Sequence, residues 1–148
     1  MSLVVIKKSD VSHGKMTIPK QTQVKDIMID KIETVDYTTS VYDAVKIMKE
    51  NNIGYVIVMS PIFEALGIFT ERDLLNKVVA EGLDVKTTQI SKVMTPHFDC
   101  VQLDDSLYEI PKLMLKQKYR HLPVVSGHEV VGILTMKDVL KFLIKKGE

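Results

Sequence analysis

Cysteine is almost missing from this chain of 148 residues. Cys100 stands alone, so no internal disulfide can form, and a reducing cytoplasm suits the thiol. No apolar run approaches the roughly 20 residues that a membrane-spanning helix needs. The opening stretch, MSLVVIKKSD, has too short an apolar run and too early a charge for a secretory signal. Charge of one sign is lacking too. The formal net charge is +1, so no global basic field points to nucleic acid or to an anionic membrane. Catalytic signatures are also absent. There is no G-x-x-x-x-G-K-[ST] loop, and His13, His97, His121 and His128 show no spacing with Cys100 that pairs a nucleophile with a base. His97 and Cys100 offer two metal ligands without a second pair, too few for a zinc site. These absences lead to the expectation of a cytoplasmic, non-enzymatic chain with no membrane attachment, no metal and no obligatory cofactor.

What the chain does have is internal repetition. Composition sets the scale: 45% hydrophobic and 26% charged residues suit one globular unit with a substantial core. Met28 in VKDIM matches Met94 in ISKVM at an offset of 66, which also carries Ser40 to Ser106, Tyr42 to Tyr108, Met48 to Met114 and Val58 to Val124. From Gly67 to Gly132 the offset is 65, which places one deleted residue in the loop between 58 and 67. Thr70 then maps to Thr135 and Asp73 to Asp138. A match sustained across the unit, with a single loop change, is an internal duplication.

Each copy has the same pattern of elements. Val41, Ala44, Val45 and Met48 fall at i, i+3, i+4 and i+7, an amphipathic helix with Ser40 as its N-cap. GYVIVM and ALGIF read as buried strands around the SPIFE turn, and TERDLLNKVVAEG as a helix with Leu74, Leu75, Val78 and Val79 on one face. The second copy repeats this as DSLYEIPKLMLKQK, HLPVV, VVGIL and TMKDVLKFLIKKG, with Val139, Leu140, Leu143 and Ile144 on the matching face. Pro111 falls in the first turn of its helix and is expected to distort that start. With short strands near Thr34 and Cys100, the order in each copy is β-α-β-β-α.

The ordered landmarks VKDIM, TVDYTTSVYDAVKIM, ENNIGYVIV and GIFTERDLL, then ISKVM, DDSLYEIPKLM, KYRHLPVV and GILTMKDVL, resemble a tandem pair of CBS domains, a Bateman module. The resemblance covers roughly residues 24 to 148. It implies an α/β fold of the α+β type, in which two pseudo-symmetric repeats pack through their sheets. Residues 1–23 would form an N-terminal extension, 24–82 the first repeat and 83–148 the second. It also implies a regulatory ligand that contains adenosine (AMP, ADP, ATP or S-adenosylmethionine), a homodimer, and an unidentified partner protein whose activity the module adjusts.

The paired motifs GIFTERD and GILTMKD allow two readings. Thr-x-x-Asp is an ordinary capping box at a helix start, contributing on the order of 1 kcal/mol. Alternatively, a helix N-terminus seats a phosphate, Thr70 or Thr135 adds a hydroxyl, and Arg72 or Lys137 adds charge. Asp73 or Asp138 would then accept from ribose hydroxyls, and Gly67 or Gly132 would leave room for close approach. The two readings are compatible. By family position, the site on Thr135, Lys137 and Asp138 borrows Ile53 and Gly54 for an adenine wall, with Arg120 and His121 placed to meet phosphates. The other cleft uses Thr70, Arg72 and Asp73 with Tyr119 and Arg120. The first repeat reads NIGYVIV where the second reads YRHLPVV, so the clefts are expected to differ, with the second-repeat site the more phosphate-friendly.

Residues 1–23 lie outside the repeat. LVVIKKSDVSHGKMTIPKQ has two short β-like runs around SHG, the pattern of a hairpin, and Lys7, Lys8, Lys15 and Lys20 face only Asp10. GKMTIPK also resembles half of a swapped-hairpin fold found in some DNA-binding regulators. Nucleic acid is nevertheless not the expected partner, since the second half is missing and the net charge is near zero. An arm that packs on the module or on a second chain is the preferred reading. The competing function is an adaptor, structural or DNA-associated, whose clefts bind nothing.

Overall fold

A helix with apolar residues on one side has a face to bury, and short runs of Val and Ile make strands covered on both faces. The computed structural model of the chain, which describes residues 3–4 and 17–147, turns these patterns into two small sheets and four α-helices. In the first half, β1 (Thr34–Asp36) leads through α1 (Val41–Asn51) to β2 (Tyr55–Met59) and β3 (Ala65–Thr70). A short α2 (Glu71–Asp73) then widens into a π-helical segment, Leu74–Val79, and β4 (Thr95–Pro96) follows. The second half contains β5 (Val101–Gln102), α3 (Ile110–Gln117), β6 (His121–Ser126), β7 (Glu129–Thr135) and α4 (Met136–Gly147). The sheets run β1-β2-β3-β4 and β5-β6-β7.

Register carries the duplication. Val35 faces Val58 across parallel β1 and β2, and Val101 faces Val124 across parallel β5 and β6. Both hairpins slip at the same step, Val58/Met59 and Val124/Val125. Helices α1 and α3 both end on a left-handed residue, Asn52 (φ 52°) and Lys118 (φ 59°).

Two local differences have physical causes. Ser40 caps α1, its hydroxyl accepting the Asp43 N–H at 3.1 Å. The matching Ser106 caps nothing comparable, because α3 begins only at Ile110. Pro111 stands where α1 has Val45; it has no N–H for the carbonyl of residue 107, and its ring crowds that carbonyl, so the helix starts late. The apolar faces of the closing helices also divide. Val78 and Val139 are buried, with Leu74 and Leu143 packed beside them, whereas Leu75 and Val79 are 61% and 62% exposed, and Leu140 and Ile144 are 48% and 49% exposed.

The repeats are contiguous in sequence but not in space. Val24, which precedes the first repeat's strands, is fully buried in the second repeat's core with Leu107, Met114 and Leu134. Ile90 and Val93, which precede the second, close the first repeat's core over Val41, Val58 and Phe69. The backbone ties match: Val24 N–H donates to Asp105 O at 2.9 Å, and Ile90 N–H to Thr39 O at 2.7 Å. Strand β4 pairs with β3, and Ile29 exchanges both backbone bonds with Ile133 at 2.9 Å in the corresponding position. Each leading segment therefore finishes the other half. Between the sheets, Tyr55, Ile57, Ile68 and Ile133 form a third apolar cluster.

Ile18 joins the second core, so the end of the N-terminal extension is docked. The expected hairpin around SHG lies outside the described residues. Among the described residues, no helix is long and apolar enough to cross a membrane.

Candidate ligand site

The two seven-residue motifs occupy matching positions, each ending a strand and opening a helix. In the first, Asp73 N–H donates to Thr70 Oγ1 at 3.4 Å, and Asp73 Oδ2 accepts from Thr70 N–H at 3.0 Å and from the Thr70 hydroxyl at 3.2 Å. In the second, Asp138 N–H donates to Thr135 Oγ1 at 3.1 Å, and the Thr135 hydroxyl donates to Asp138 Oδ2. Both motifs cap, as one reading of the sequence required.

The glycines answer to a different neighbour from the one expected. A Cβ on Gly67 would lie 2.7 Å from both Thr95 O and Met94 Sδ, and one on Gly132 would lie 2.8 Å from Ile29 O and Met28 Sδ. The close approach that needs glycine is made by the exchanged segment of the chain itself. The chain's own backbone is thus reason enough for glycine at both positions.

Among the described residues Asp73 is the buried charged one, at 7% exposure, and its oxygens are surrounded by donors. Lys77 Nζ lies 3.1 Å from Oδ1, one helical turn on, and the Thr95 hydroxyl donates to the same oxygen at 3.0 Å. Lys77 also donates to Thr95 Oγ1 at 3.1 Å and to Met94 O at 3.3 Å.

Over this motif opens a cavity of about 760 Å³, within the range of small-molecule sites. Its lining brings Thr70, Arg72 and Asp73 together with Tyr119 and Arg120, the grouping expected for the first cleft. His121 lines the same cavity. The sequence reading placed His121 with Thr135, and Arg120 with both motifs. The structure puts both on the wall of the first cleft, while their backbones border the second motif: His121 pairs with Thr135 in the sheet, and Arg120 O accepts the Met136 N–H at 3.0 Å. Arg120 and His121 therefore border both motifs, as part of the cavity wall over the first and as backbone neighbours of the second.

His121 and Tyr55 stand 66 residues apart in sequence and meet in a tilted ring contact, centroids 5.4 Å apart and planes at 46°. Burial pushes the His121 pKa below its usual value; Glu71 pulls it up, Arg120 pushes it down, and Asp138 pulls it up. Burial likewise raises Tyr55, so both rings are held neutral. The Tyr119 hydroxyl donates to Asp99, and that bond holds its proton on.

Around the second motif, Lys137 is exposed, and Thr135 and Asp138 are half-buried. Gly54 is buried beneath the Glu71 side chain, and its carbonyl accepts the Glu71 N–H at 3.0 Å. Ile53 packs partly into the first core and the inter-sheet cluster. After burial and Glu33, the charge of Asp138 also helps to raise the Tyr55 pKa, Tyr55 being the residue after Gly54.

Sequence reasoning missed Lys77 and Thr95, and also Phe98, Asp99, Gln117 and Lys118 on the cavity wall. Lys77 had a readable signal, a cation four residues after Asp73 on one helix. Thr95 had none, because only the exchanged strand brings it there. His97 lines the cavity and Cys100 is exposed. Among the described residues, no group of three or more His, Cys, Asp or Glu side chains could hold a metal.

Comparison with known proteins gives a consistent result. The profile of the CBS domain matches residues 24–80 and again 90–145. The CBS domain-containing protein CBSCBSPB2 of Arabidopsis thaliana is 33% identical over 138 residues, 93% of this chain, and this chain spans 25% of that protein's length. Among solved structures, an uncharacterized conserved protein from Pyrococcus horikoshii superposes with a TM-score of 0.79 at 25% identity, covering 84% of this chain and 94% of that one. A putative signal-transduction protein with CBS domains from Burkholderia ambifaria gives 0.75 at 34% identity, covering 80% and 87%.

Proposed function

This chain belongs to the CBS-domain family, as a tandem pair, and from that premise we propose that it is a regulatory sensor of an adenine-containing ligand (AMP, ADP, ATP or S-adenosylmethionine) that adjusts a partner protein. The observation that carries the reading is the cavity between the halves. One wall is the first motif and the other is the loop and strand start at 117–121, so an occupant touches both repeats at once. Arg72, Lys118 and Arg120 supply full positive charges for phosphate oxygens, and Thr70 a hydroxyl. Phe98 and Pro123 offer apolar surface for a base. A ligand held by both repeats favours one relative placement of them, which is the differential affinity that regulation requires.

The second motif, built on Thr135, Lys137 and Asp138, is a separate seat. The role is regulatory rather than catalytic. The exposed pairs Leu75/Val79 and Leu140/Ile144 lie at matching positions in the two halves and suit pairing with a second copy. Light scattering on Leu75→Asp should then report a monomer; a monomeric wild type would remove that part of the reading.

Thermal unfolding with each of the four ligands tests the function. A ligand at 100 times its Kd should stabilise the protein by about 2.7 kcal/mol. Arg120→Ala should abolish the shift if the cavity is the seat, and Asp138→Ala if the second motif is. A folded protein that responds to none of the four would leave the adaptor reading in its place. Salt-dependent binding to random DNA, lost on removal of residues 1–16, would then identify that partner.

A further inference from the structure

The two motifs end on carboxylates that do not have the same partners. Asp73 has four donors on its two oxygens: Thr70 N–H and the Thr70 hydroxyl on Oδ2, and the Thr95 hydroxyl and Lys77 on Oδ1. An ionised carboxylate accepts about four hydrogen bonds, so this one is full. Lys77 is equally committed, its three N–H bonds matched by Asp73, Thr95 and Met94 O. At the matching positions of the second half stand Phe142 for Lys77 and Ile29 for Thr95, neither of which has a side-chain donor. Phe142 packs on the second core, and Ile29 is held by its backbone bonds to Ile133. The Thr135 hydroxyl occupies Asp138 Oδ2.

We propose that Lys77, with Thr95, is a specificity determinant of the first cleft: by saturating Asp73 it removes the carboxylate that would read ribose hydroxyls, so that this cleft selects its ligand by anionic groups. The inference rests on the nucleotide reading above and deepens it. The cavity has the means for anion selection. Its full charges are Arg72, Lys118 and Arg120 against Glu71, Asp73 and Asp99. Asp73 is already paired with Lys77, so three cations stand against the two carboxylates of Glu71 and Asp99, an excess of one positive charge for an incoming anion. Discrimination by the sugar then falls to the second motif, where Asp138 keeps acceptor capacity. One chain thus holds two clefts that read different parts of the same ligand class, although their motifs look alike.

Isothermal titration calorimetry on the full chain carrying Asp138→Asn, which weakens sugar recognition at the second motif, compares AMP, 2′-deoxy-AMP and inorganic pyrophosphate. The two nucleotides should bind within threefold of each other. Adding Lys77→Met should widen the ratio to tenfold or more in favour of AMP, because Asp73 Oδ1 becomes free to accept from the diol. If Lys77→Met does not fold, Thr95→Val should widen the ratio at least threefold by freeing one acceptor site. A tenfold preference for AMP with Lys77 in place, or a ratio that neither variant changes, overturns the proposal and leaves nucleotide binding standing. If neither nucleotide binds, the nucleotide reading of this cleft fails by itself and pyrophosphate decides. Pyrophosphate binding that Arg120→Ala removes upholds an anion-selecting cleft, and no pyrophosphate binding overturns it.

Discussion

Asp73 and Asp138 close the same seven-residue pattern, one in each half, and each caps its helix through the same threonine. Their surroundings then part. Asp73 sinks to 7% exposure against a lysine and a second threonine, whereas Asp138 stays half-buried with Phe142 and Ile29 at the matching positions. The difference arises from two substitutions in elements distant in sequence, one in the closing helix and one in the exchanged segment. A repeated motif therefore fixes a local backbone, while the partners of its functional atoms are set by what folds over it.

The largest effect is expected where the halves are alike. Gly67→Ala and Gly132→Ala would each force a methyl group against a carbonyl of the exchanged segment, and backbone cannot yield cheaply. Each should lose about 2–3 kcal/mol in urea unfolding, and the two losses should be equal. A large inequality would show that the exchange holds one half more tightly.

Next comes the pair that should differ. Asp73→Ala strands Lys77, Thr95 and the Thr70 N–H and should lose about 2 kcal/mol, a figure kept low because the Lys77 side chain is 42% exposed and can return to water. Asp138→Ala keeps the backbone cap on Thr135 and removes only that hydroxyl's bond to the carboxylate, so it should lose about 1 kcal/mol or less. Equal losses would break the contrast between the carboxylates.

The hairpin turns offer a smaller comparison. Phe63 holds φ at 61° in the first turn, a conformation bulky side chains avoid, and Gly127 holds 64° in the second. Phe63→Gly should gain about 0.5–1 kcal/mol and Gly127→Ala should lose about the same, read as opposite shifts in melting temperature.

The smallest effect belongs to His121. Its folded pKa lies below 6.5 because burial disfavours the charged ring. The unfolded chain therefore takes up a proton first as pH falls. The stability linked to neutral His121 is present above pH 6.5 and is lost as pH falls through 6.5 toward the folded value. His121→Gln should flatten that limb of the stability profile, whereas the matching Tyr55→Phe should leave it unchanged. An anion in the cavity should lift the His121 pKa, which NMR titration with and without AMP would read.

Much of the fold was legible because it rests on local rules. The i, i+3, i+4, i+7 spacing of Val41, Ala44, Val45 and Met48 places a helix wherever the rest of the chain goes, and all but half-buried Val45 are fully inside. Ser40 and both Thr-x-x-Asp pairs cap as short-range geometry dictates. What escaped depended on long-range assembly. The four-residue apolar face of each closing helix could not be divided into buried and exposed pairs before the π-helical turn and the sheets took position. The side-chain directions of Arg120 and His121 needed the opposite cleft wall, and the purpose of Gly67 needed Thr95.

The sequence by itself determined the duplication, the order of elements and the two capped motifs, because periodicity, caps and turns act over a few residues. Only the tertiary structure decided which half each leading segment completes, which motif lies beneath the cavity, and which carboxylate is already satisfied. Those outcomes depend on groups 18 to more than 100 residues apart meeting at hydrogen-bond distance, as Lys77 meets Thr95 and Ile29 meets Ile133. No local pattern encodes such a meeting, because its free energy exists only once both cores have closed.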